Sequence, residues 1–348
     1  MSPGGGIRRL GGRGAVLTAA GLLLAACNTA TAARVTGQPS ASIDVPLSLT
    51  ACTGANSCVA LGTSHLGSGP RAAAERRRAD GSWTALRPPT GATPTLLASS
   101  CWRSGCLIGG TSTTGDVLWR YRADPPSLSA ISAPPGGEIV TALSCFGAGQ
   151  CALVDSPRLL LDGRLVVTTD GGATWSTPAD LPWSAGESVY ALTCPDVLDC
   201  LAAGLPAVTA GPGAPVPTLE VTRDGGLTWR RAPLPAGTLG LTSLACRAQR
   251  CDALVRTARG VEWARSGTLG SRWVLHRITG AATALACTTG ARCVLVGTHR
   301  GQPWLATTRG DVVTRATLRY VPSPFTTAAC GATRCAVSAA STVASLEP

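Results

Sequence analysis

The sequence contains no lysine: all 30 basic residues are arginine, and the formal net charge is +11. Charged residues amount to only 14 %, so this basic excess is thinly spread along the chain. There are no CxxC pairs, and the three histidines (His65, His276 and His299) are scattered. Zinc sites typically combine closely spaced cysteine and histidine ligands. The sequence therefore predicts no metal site.

Several motifs of nucleotide and nucleophile chemistry are also missing. The chain has no G-x-S-x-G elbow, and its many glycines form no credible P-loop or dinucleotide fingerprint. The 42 glycines and 25 prolines indicate many turns and no long helices. Apolar residues still make up 45 % of the chain, enough to bury a large core. We therefore expect a turn-rich fold without a cofactor.

What the chain does contain is a short stretch repeated seven times. In each copy, two strand-like runs flank a small turn, and each run carries one cysteine at the turn. The first cysteines of successive copies are 41 to 52 residues apart. A period in the forties, built from short strands, is typical of a β-propeller with one blade per repeat. The sequence thus predicts an all-β, seven-bladed propeller of four-stranded blades.

The first 27 residues read as an export signal. Arginines precede a short apolar run from Ala15 to Ala26, which is too short to span a bilayer as a stable helix. The run ends in Leu24-Ala25-Ala26-Cys27, which resembles the bacterial lipobox. The resemblance implies that Cys27 carries the lipid and becomes the mature N-terminus. We expect residues 28–39 to form a flexible tether and residues 40–348 to form the propeller, on the outer face of the cell membrane.

The cysteine count fits this location. Fifteen cysteines minus Cys27 leave fourteen, or seven pairs, and disulfides persist in the oxidising compartment outside the cytoplasm. Pairing within each copy would staple each hairpin, because cross-strand neighbours are close enough to bridge. The predicted pairs are Cys52–Cys58, Cys101–Cys106, Cys145–Cys151, Cys194–Cys200, Cys246–Cys251, Cys287–Cys293 and Cys330–Cys335.

Two turns between the third and fourth strands of a repeat share a specific pattern. The pattern in both turns is T-x-D-G-G-x-T-W. The key residues of the first turn are Thr168, Asp170, Gly172 and Trp175, and those of the second turn are Thr222, Asp224, Gly226 and Trp229. The carboxylate is expected to accept hydrogen bonds from turn N–H groups, and glycine to take a positive φ. Both turns resemble the Asp box of sialidase/BNR-repeat propellers and of photosystem II assembly factors. The box is shared by hydrolases and binding proteins, so it implies a fold and no activity.

The ends of the chain predict how the ring closes. After Cys335 too few residues remain for a four-stranded blade, and Ser40–Pro46 has the character of a fourth strand. We expect this N-terminal strand to complete the seventh blade, which removes an exposed sheet edge.

Two functions remain open from the sequence. The first is a binding or scaffolding module, in monomeric form, for a protein or a cell-envelope glycan, with recognition by variable loops such as Thr63–Glu75 and Leu205–Pro217. The alternative is an exo-α-sialidase-like hydrolase, for which the resemblance implies a Tyr–Glu nucleophile. Tyr190 and Glu187 are the candidates for that pair.

Three basic stretches are candidates for contact with anionic lipid or wall polymers: Arg71 with Arg76–Arg78, Trp119–Arg122 and Arg230–Arg231. Solvated surface arginines in a chain without lysine are the favoured interpretation of these stretches. Nucleic acid is not an expected partner of an exported protein.

Overall fold

The structure is a computed structural model that describes residues 34–39, 45–54, 57–64, 71–90, 93–156, 163–176, 179–181, 187–206, 216–319 and 321–348. These residues form 30 β-strands, most of them in seven four-stranded antiparallel sheets. The sheets are the blades of a seven-bladed propeller, within one compact unit that spans Ala32 to Pro348. None of the described residues belongs to a helix long and apolar enough to cross a membrane.

Blades 1 to 4 follow one another along the chain, and the first strand of each is the innermost. Their strands are β3 (Leu49–Cys52), β4 (Cys58–Ser64), β5 (Arg71–Arg77) and β6 (Trp83–Leu86); β7 (Thr95–Cys101), β8 (Gly105–Ser112), β9 (Gly115–Ala123) and β10 (Pro126–Ile131); β11 (Ile139–Cys145), β12 (Cys151–Ser156), β13 (Arg164–Thr168) and β14 (Ala179–Asp180); and β15 (Glu187–Thr193), β16 (Cys200–Pro206), β17 (Thr218–Thr222) and β18 (Arg230–Arg231).

Blades 5 to 7 continue the same order, except that blade 7 takes its outer strand from the start of the chain. Their strands are β19 (Gly240–Arg247), β20 (Arg250–Thr257), β21 (Gly260–Ser266) and β22 (Trp273–Arg277); β23 (Ala281–Cys287), β24 (Cys293–His299), β25 (Gln302–Arg309) and β26 (Val312–Arg315); and β28 (Thr327–Cys330), β29 (Cys335–Ala339), β30 (Thr342–Leu346) and β2 (Gln38–Pro39).

The N-terminal segment closes the ring, as the sequence predicted. β2 pairs with β30 in antiparallel fashion, with Gln38 opposite Val343. The closing strand is nevertheless Gln38–Pro39 and not the predicted Ser40–Pro46, of which Ser40–Asp44 lie outside the described residues. Nearer the N-terminus, β1 (Arg34–Thr36) pairs in parallel with β27 (Thr317–Arg319). The predicted boundary between tether and propeller at residue 40 is therefore too late, because paired strands already occur from Arg34.

The core lies between neighbouring blades, where the faces of adjacent sheets pack together. Between blades 5 and 6, the fully buried Trp263 packs in one cluster with Leu295 and Trp304. Between blades 4 and 5, Leu201 and Val255 belong to a similar cluster. Each blade thus has two apolar faces, which explains why second strands such as β12 and β24 contain continuous apolar runs with both faces buried.

All seven predicted disulfides are present, one in each blade. They join Cys52–Cys58, Cys101–Cys106, Cys145–Cys151, Cys194–Cys200, Cys246–Cys251, Cys287–Cys293 and Cys330–Cys335. In six blades the two cysteines lie directly opposite each other at the end of the first hairpin. Each disulfide therefore closes the turn between the two innermost strands.

Hydroxyl groups join several blades around the inner ring. In blades 2, 3 and 4, the residue directly before the first cysteine has a hydroxyl group. This hydroxyl accepts a hydrogen bond from a backbone N–H of the next blade, that of its first cysteine. These bonds are Cys145 N to Ser100 Oγ (2.8 Å), Cys194 N to Ser144 Oγ (2.6 Å) and Cys246 N to Thr193 Oγ1 (2.9 Å). The equivalent residues of the other blades are Ala51, Ala245, Ala286 and Ala329, which cannot accept such a bond. Bonds of this kind therefore cover the three steps from blade 2 to blade 5. Different hydroxyl bonds join blade 2 to blade 1 (Ser99 Oγ to Thr50 O, 2.9 Å) and blade 5 to blade 6 (Ser243 Oγ to Leu285 O, 3.2 Å).

Candidate functional site

The innermost strands enclose a central funnel that opens on the face carrying the disulfide turns. Its cavity has a volume of about 580 Å³ and is lined by residues from all seven blades. Small side chains form most of the wall, including Ala51, Ala245, Ala286 and Ala329. Seven strands converge around the axis here, and larger side chains would fill the channel between them.

Two arginines from different blades lie in the lining of the funnel. Arg247 follows the first cysteine of blade 5, and Arg103 lies two residues after the first cysteine of blade 2. No aspartate or glutamate of the described residues lines the cavity, and neither arginine forms an ion pair within the described part of the chain. The funnel is therefore a positively charged cavity without an internal counter-charge.

Arg247 lies on the cavity wall, and its tip is open to the solvent in the funnel. Its Nη1 donates a hydrogen bond to the carbonyl oxygen of Cys246 at 3.1 Å. The surrounding protein displaces water from the guanidinium, and this desolvation lowers its pKa. An arginine remains charged in spite of such a shift. An anionic group that entered the funnel would therefore meet a charged guanidinium.

Aromatic side chains stand beside these arginines at the mouth of the funnel. Trp102 and Phe146 each follow the first cysteine of their blade, and both are half-buried in the lining. Gly54 N–H of blade 1 donates to the carbonyl oxygen of Trp102 at 3.0 Å, which joins the turns of neighbouring blades. The mouth thus combines flat apolar surfaces with positive charge, and both favour contact with a partner.

An exposed apolar patch lies next to the funnel on blade 4. Val197 and Leu198, in the disulfide turn, are each 54 % exposed, and Leu227 is 85 % exposed. Gly225 N–H donates to the carbonyl oxygen of Leu198 at 2.9 Å, so that the two turns are neighbours on the same face. Pro195 of the same disulfide turn lines the funnel. The apolar patch therefore extends the face around the funnel.

The two D-G-G turns have the hydrogen bonds that the sequence pattern predicts. Asp170 Oδ1 accepts hydrogen bonds from the backbone N–H groups of Ala173 (2.8 Å) and Thr174 (2.9 Å). Thr168 Oγ1 donates to Asp170 Oδ1 at 2.8 Å and accepts from Gly172 N–H at 2.9 Å. The Thr174 hydroxyl also donates to Asp170. This bond, together with those from Thr174 N–H and the Thr168 hydroxyl, holds the pKa of Asp170 well below its usual range.

The second D-G-G turn repeats this geometry residue by residue. The Thr228 hydroxyl and backbone hydrogen bonds lower the pKa of Asp224 to about 2. Gly226 has a φ of 92°, and a Cβ there would lie 2.6 Å from Leu165 Cδ2 of the preceding blade. Glycine is required at this position both for its φ and for its lack of a side chain.

The tryptophan of the first D-G-G turn links two blades. Trp175 is half-buried against the apolar cluster between blades 2 and 3. Its Nε1 donates to the carbonyl oxygen of Ser132 in the preceding connection at 3.3 Å. The first D-G-G turn is therefore a structural unit that holds blade 3 against blade 2. None of its key residues (Thr168, Asp170, Gly172 and Trp175) lines the funnel.

The tyrosine of the sialidase candidates, Tyr190, does not line the funnel. Tyr190 is the extra residue of a β-bulge between Val189 and Ala191, and it packs in the cluster between blades 4 and 5. Its hydroxyl is buried without a hydrogen-bond partner among the described residues, and burial raises its pKa to about 12. A tyrosine in this state is a poor nucleophile. The Glu187 side chain lies outside the described residues.

Two further predictions fall largely on residues that the structure does not describe. Cys27 and the rest of the export signal lie in residues 1–33. Of the predicted binding loops, residues 65–70 and 207–215 are not described, whereas their flanks belong to strands β4, β5 and β16. Lipid attachment and loop recognition therefore stay predictions.

A pair of aspartates lies at the opposite ends of the strands, between blades 2 and 3. Asp155 is fully buried, and its Oδ2 is 2.5 Å from Arg164 Nη2. Both carboxylate oxygens of Asp116 are buried without a hydrogen-bond partner among the described residues. Burial, with the nearby Asp155 charge, raises the pKa of Asp116 to about 8. Asp116 is thus protonated at neutral pH.

One buried group has ligand atoms close enough to suggest a metal: Asp252, Cys287 and Cys293. The two sulfur atoms are bonded to each other, so they offer no thiolate. Asp252 Oδ1 instead accepts hydrogen bonds from Trp263 Nε1 (3.0 Å) and Arg265 Nε (2.9 Å). This carboxylate is therefore committed to the packing of blade 5.

Sequence reasoning missed the residues of the funnel mouth. Trp102, Phe146 and Arg247 occupy the same position in their repeats, directly after the first cysteine. At that position the chemistry changes from copy to copy, whereas the residue directly before the first cysteine is always Ala, Ser or Thr. This variation against a constant background is the signal that identifies the mouth of the funnel.

Comparisons with known proteins support the architecture. No family model matches the sequence, and no curated protein matches it. The structure is similar to YCF48 from Cyanidioschyzon merolae, with a TM-score of 0.62 and 14 % identity over 91 % of this chain and 99 % of that one. It is also similar to a catalytically inactive virginiamycin B lyase from Staphylococcus aureus crystallised with quinupristin, with a TM-score of 0.61 and 11 % identity over 90 % of this chain and 99 % of that one.

A third similar structure is the β-propeller domain of the Trilobed protease from Pyrococcus furiosus, with a TM-score of 0.57 and 6 % identity over 86 % of this chain and 94 % of that one. At such low identity, these likenesses show the fold alone. The chain is a disulfide-stapled seven-bladed β-propeller, and its function has to be argued from its own residues.

Proposed function

We propose that the protein is an extracytoplasmic binding module, held at the outer face of the cell membrane by a lipid on Cys27, whose funnel binds an acidic segment of a partner protein. The seven disulfides suggest an oxidising compartment, where such bonds persist. The lipobox-like sequence before Cys27 supports the anchor. The D-G-G turns serve as Asp boxes in the structural sense, and they give the ring the rigidity on which a binding surface depends.

The composition of the funnel carries the proposal. It contains Arg103 and Arg247 without a carboxylate, and it is flanked by Trp102 and Phe146. Guanidinium groups bind carboxylates through paired, charge-assisted hydrogen bonds. An extended segment with carboxylate and apolar side chains would satisfy both halves of this surface. A neutral glycan would stack on the aromatic rings and would leave both charges unused, so the charge favours a protein ligand.

The sialidase alternative gains nothing from the geometry. Its tyrosine candidate, Tyr190, is buried between blades and does not face the funnel. A binding module and a sialidase-like hydrolase would both use arginine to recognise a carboxylate. The hydrolase would in addition need a nucleophile beside the arginines, and Tyr190 does not lie there.

Defined peptides test the proposal. Fluorescence anisotropy would compare a labelled Glu-Ala repeat peptide with a Gln-Ala repeat peptide of the same length. We expect selective binding of the acidic peptide, weakened about tenfold or more by Arg103→Gln with Arg247→Gln, because each contact is a charge-assisted hydrogen bond. The matched control is Arg256→Gln with Arg259→Gln, on the exposed surface of blade 5. Equal binding of both peptides, or equal loss in both double variants, would contradict the proposal.

A further inference from the structure

The outer edge of blade 6 carries a second group of unpaired positive charges. We define the blade 6 edge as Arg309, Val312, Arg315 and Arg319. The three arginines are exposed, and none of them forms an ion pair within the described part of the chain. Val312, on the outermost strand of the blade, is 61 % exposed. The edge therefore presents an accessible cationic strip with one apolar side chain within it.

The one acid of this segment pairs with the neighbouring blade and not with the edge arginines. Asp311 is the only acidic residue between Arg300 and Arg319. Its Oδ1 is 2.9 Å from Arg265 Nη1 and 3.7 Å from His276 Nε2, both in blade 5. The carboxylate thus compensates a charge of the neighbouring blade. None of the three edge arginines forms an ion pair with Asp311 among the described residues, and they outnumber it three to one.

The N-terminal segment joins the propeller at this same edge. Arg34 of β1 pairs with Thr317 of β27, and Gly37 N–H donates to the carbonyl oxygen of Arg319 at 3.0 Å. Arg34 lies only seven residues after Cys27. A fully extended chain of that length spans at most ~25 Å. A lipid on Cys27 would therefore keep the blade 6 edge close to the headgroups of its own membrane.

We propose that the blade 6 edge docks on anionic lipid headgroups, an inference that rests on the lipid attachment in the proposed function. The guanidinium groups of Arg309, Arg315 and Arg319 match phosphate oxygens in geometry and charge. The blades radiate from the channel axis, so docking through one outer edge places the funnel axis along the membrane surface. In that orientation the funnel faces other proteins anchored in the same membrane and does not press against the bilayer.

Vesicle binding by the chain without its lipid tests the docking surface. Residues 28–348 include every described strand and the closed ring, so this form is suitable for flotation with phosphatidylcholine vesicles, with and without phosphatidylglycerol. We expect binding only when phosphatidylglycerol is present, and we expect it to weaken as salt is added. Substitution of all three edge arginines by glutamine should weaken binding about 100-fold at low salt. Binding that does not depend on phosphatidylglycerol would overturn the proposal.

A matched triple variant separates the edge from the general basic charge. This control removes three positive charges, as the edge variant does, but from exposed positions of blade 5: Arg256→Gln, Arg259→Gln and Arg277→Gln. Binding by this control should stay close to that of the unmodified chain. An equal loss in both triple variants would show non-specific attraction and would overturn the proposal. Unchanged denaturation midpoints would confirm that both triple variants are folded.

Acyl labelling in cells distinguishes failure of this inference from failure of lipid attachment. Incorporation of labelled palmitate that disappears in Cys27→Ala supports the anchor alone. Phosphatidylglycerol-dependent binding that requires the edge arginines supports the docking surface alone. Labelling of Cys27 without edge-dependent binding would overturn the docking inference and leave the anchor in place.

Discussion

Removal of one hydroxyl group from the inner ring should measurably loosen the propeller. Ser144 is 6 % exposed, and its Oγ accepts a hydrogen bond of 2.6 Å from the N–H of Cys194, which is 2 % exposed. In Ser144→Ala this buried N–H loses its partner, and water cannot easily replace it. A buried donor left unsatisfied costs about 1–3 kcal/mol, so we expect the free energy of unfolding to fall by that amount.

The assay is equilibrium unfolding in guanidinium chloride with all disulfides oxidised. The midpoint should decrease at an unchanged slope, because the surface exposed on unfolding is the same. Ser144→Thr should retain most of the stability, since Thr193 makes the equivalent bond at 2.9 Å in the next blade. Ser129→Ala, at an exposed position of the outer strand β10, is the control and should stay within about 0.5 kcal/mol of the unmodified chain. Equal stabilities of the Ser144→Ala and Ser129→Ala variants would refute the role of the hydroxyl ring.

Three further predictions follow from single sites. Ala248 has a φ of 50°, which is costly for a residue with a Cβ. Ala248→Gly should therefore raise the free energy of unfolding by up to about 1 kcal/mol, as measured by thermal melts. A lower free energy of unfolding in this variant would contradict the prediction. Because the pKa of Asp116 is raised from 3.8 to about 8, its contribution to stability is full below pH 3.8 and is lost as the pH rises through 8. Asp116→Asn should therefore flatten the stability profile between pH 5 and pH 8 in denaturant titrations, and an unchanged slope would show that Asp116 is not the titrating group. Tyr190→Phe should leave stability equal or higher, because the buried hydroxyl has no partner among the described residues; a loss above about 1 kcal/mol would reveal a hydrogen bond that the geometry does not contain.

Most of the fold could be predicted because the repeat marks each blade with a pair of cysteines. The spacing of Cys145 and Cys151 defines a hairpin, and seven such pairs define a ring. Closure of the ring was harder to locate, because β2 pairs with β30 over only two residues and Pro39 offers no donor. The apolar-Pro pair at Val45-Pro46 indicated a strand in the right part of the chain, but the paired residues come earlier.

The candidate site was much less accessible from the sequence. Arg103 and Arg247 lie in blades 2 and 5, and although the repeat marks the position of Arg247, it does not show that the two arginines share one cavity. They matter because the ring brings both to one cavity that has no acid in its lining. Asp116 and Asp155 likewise come from different blades, so their interaction exists only after the blades have packed. Sequence periodicity predicts blades well, whereas charge pairing across blades depends on tertiary geometry.

The pairing of β2 with β30 also sets the order of folding. Blades 1 to 6 lie in sequence between β2 and its partner, Thr342–Leu346. These six blades can form from local hairpins, whereas the outer strand of blade 7 can pair only when β30 is in place. A chain cut before Thr342 would keep six complete blades and an open seam with a free strand edge. Such an edge is a template for pairing with another chain, so closure by β2 protects the finished ring from aggregation.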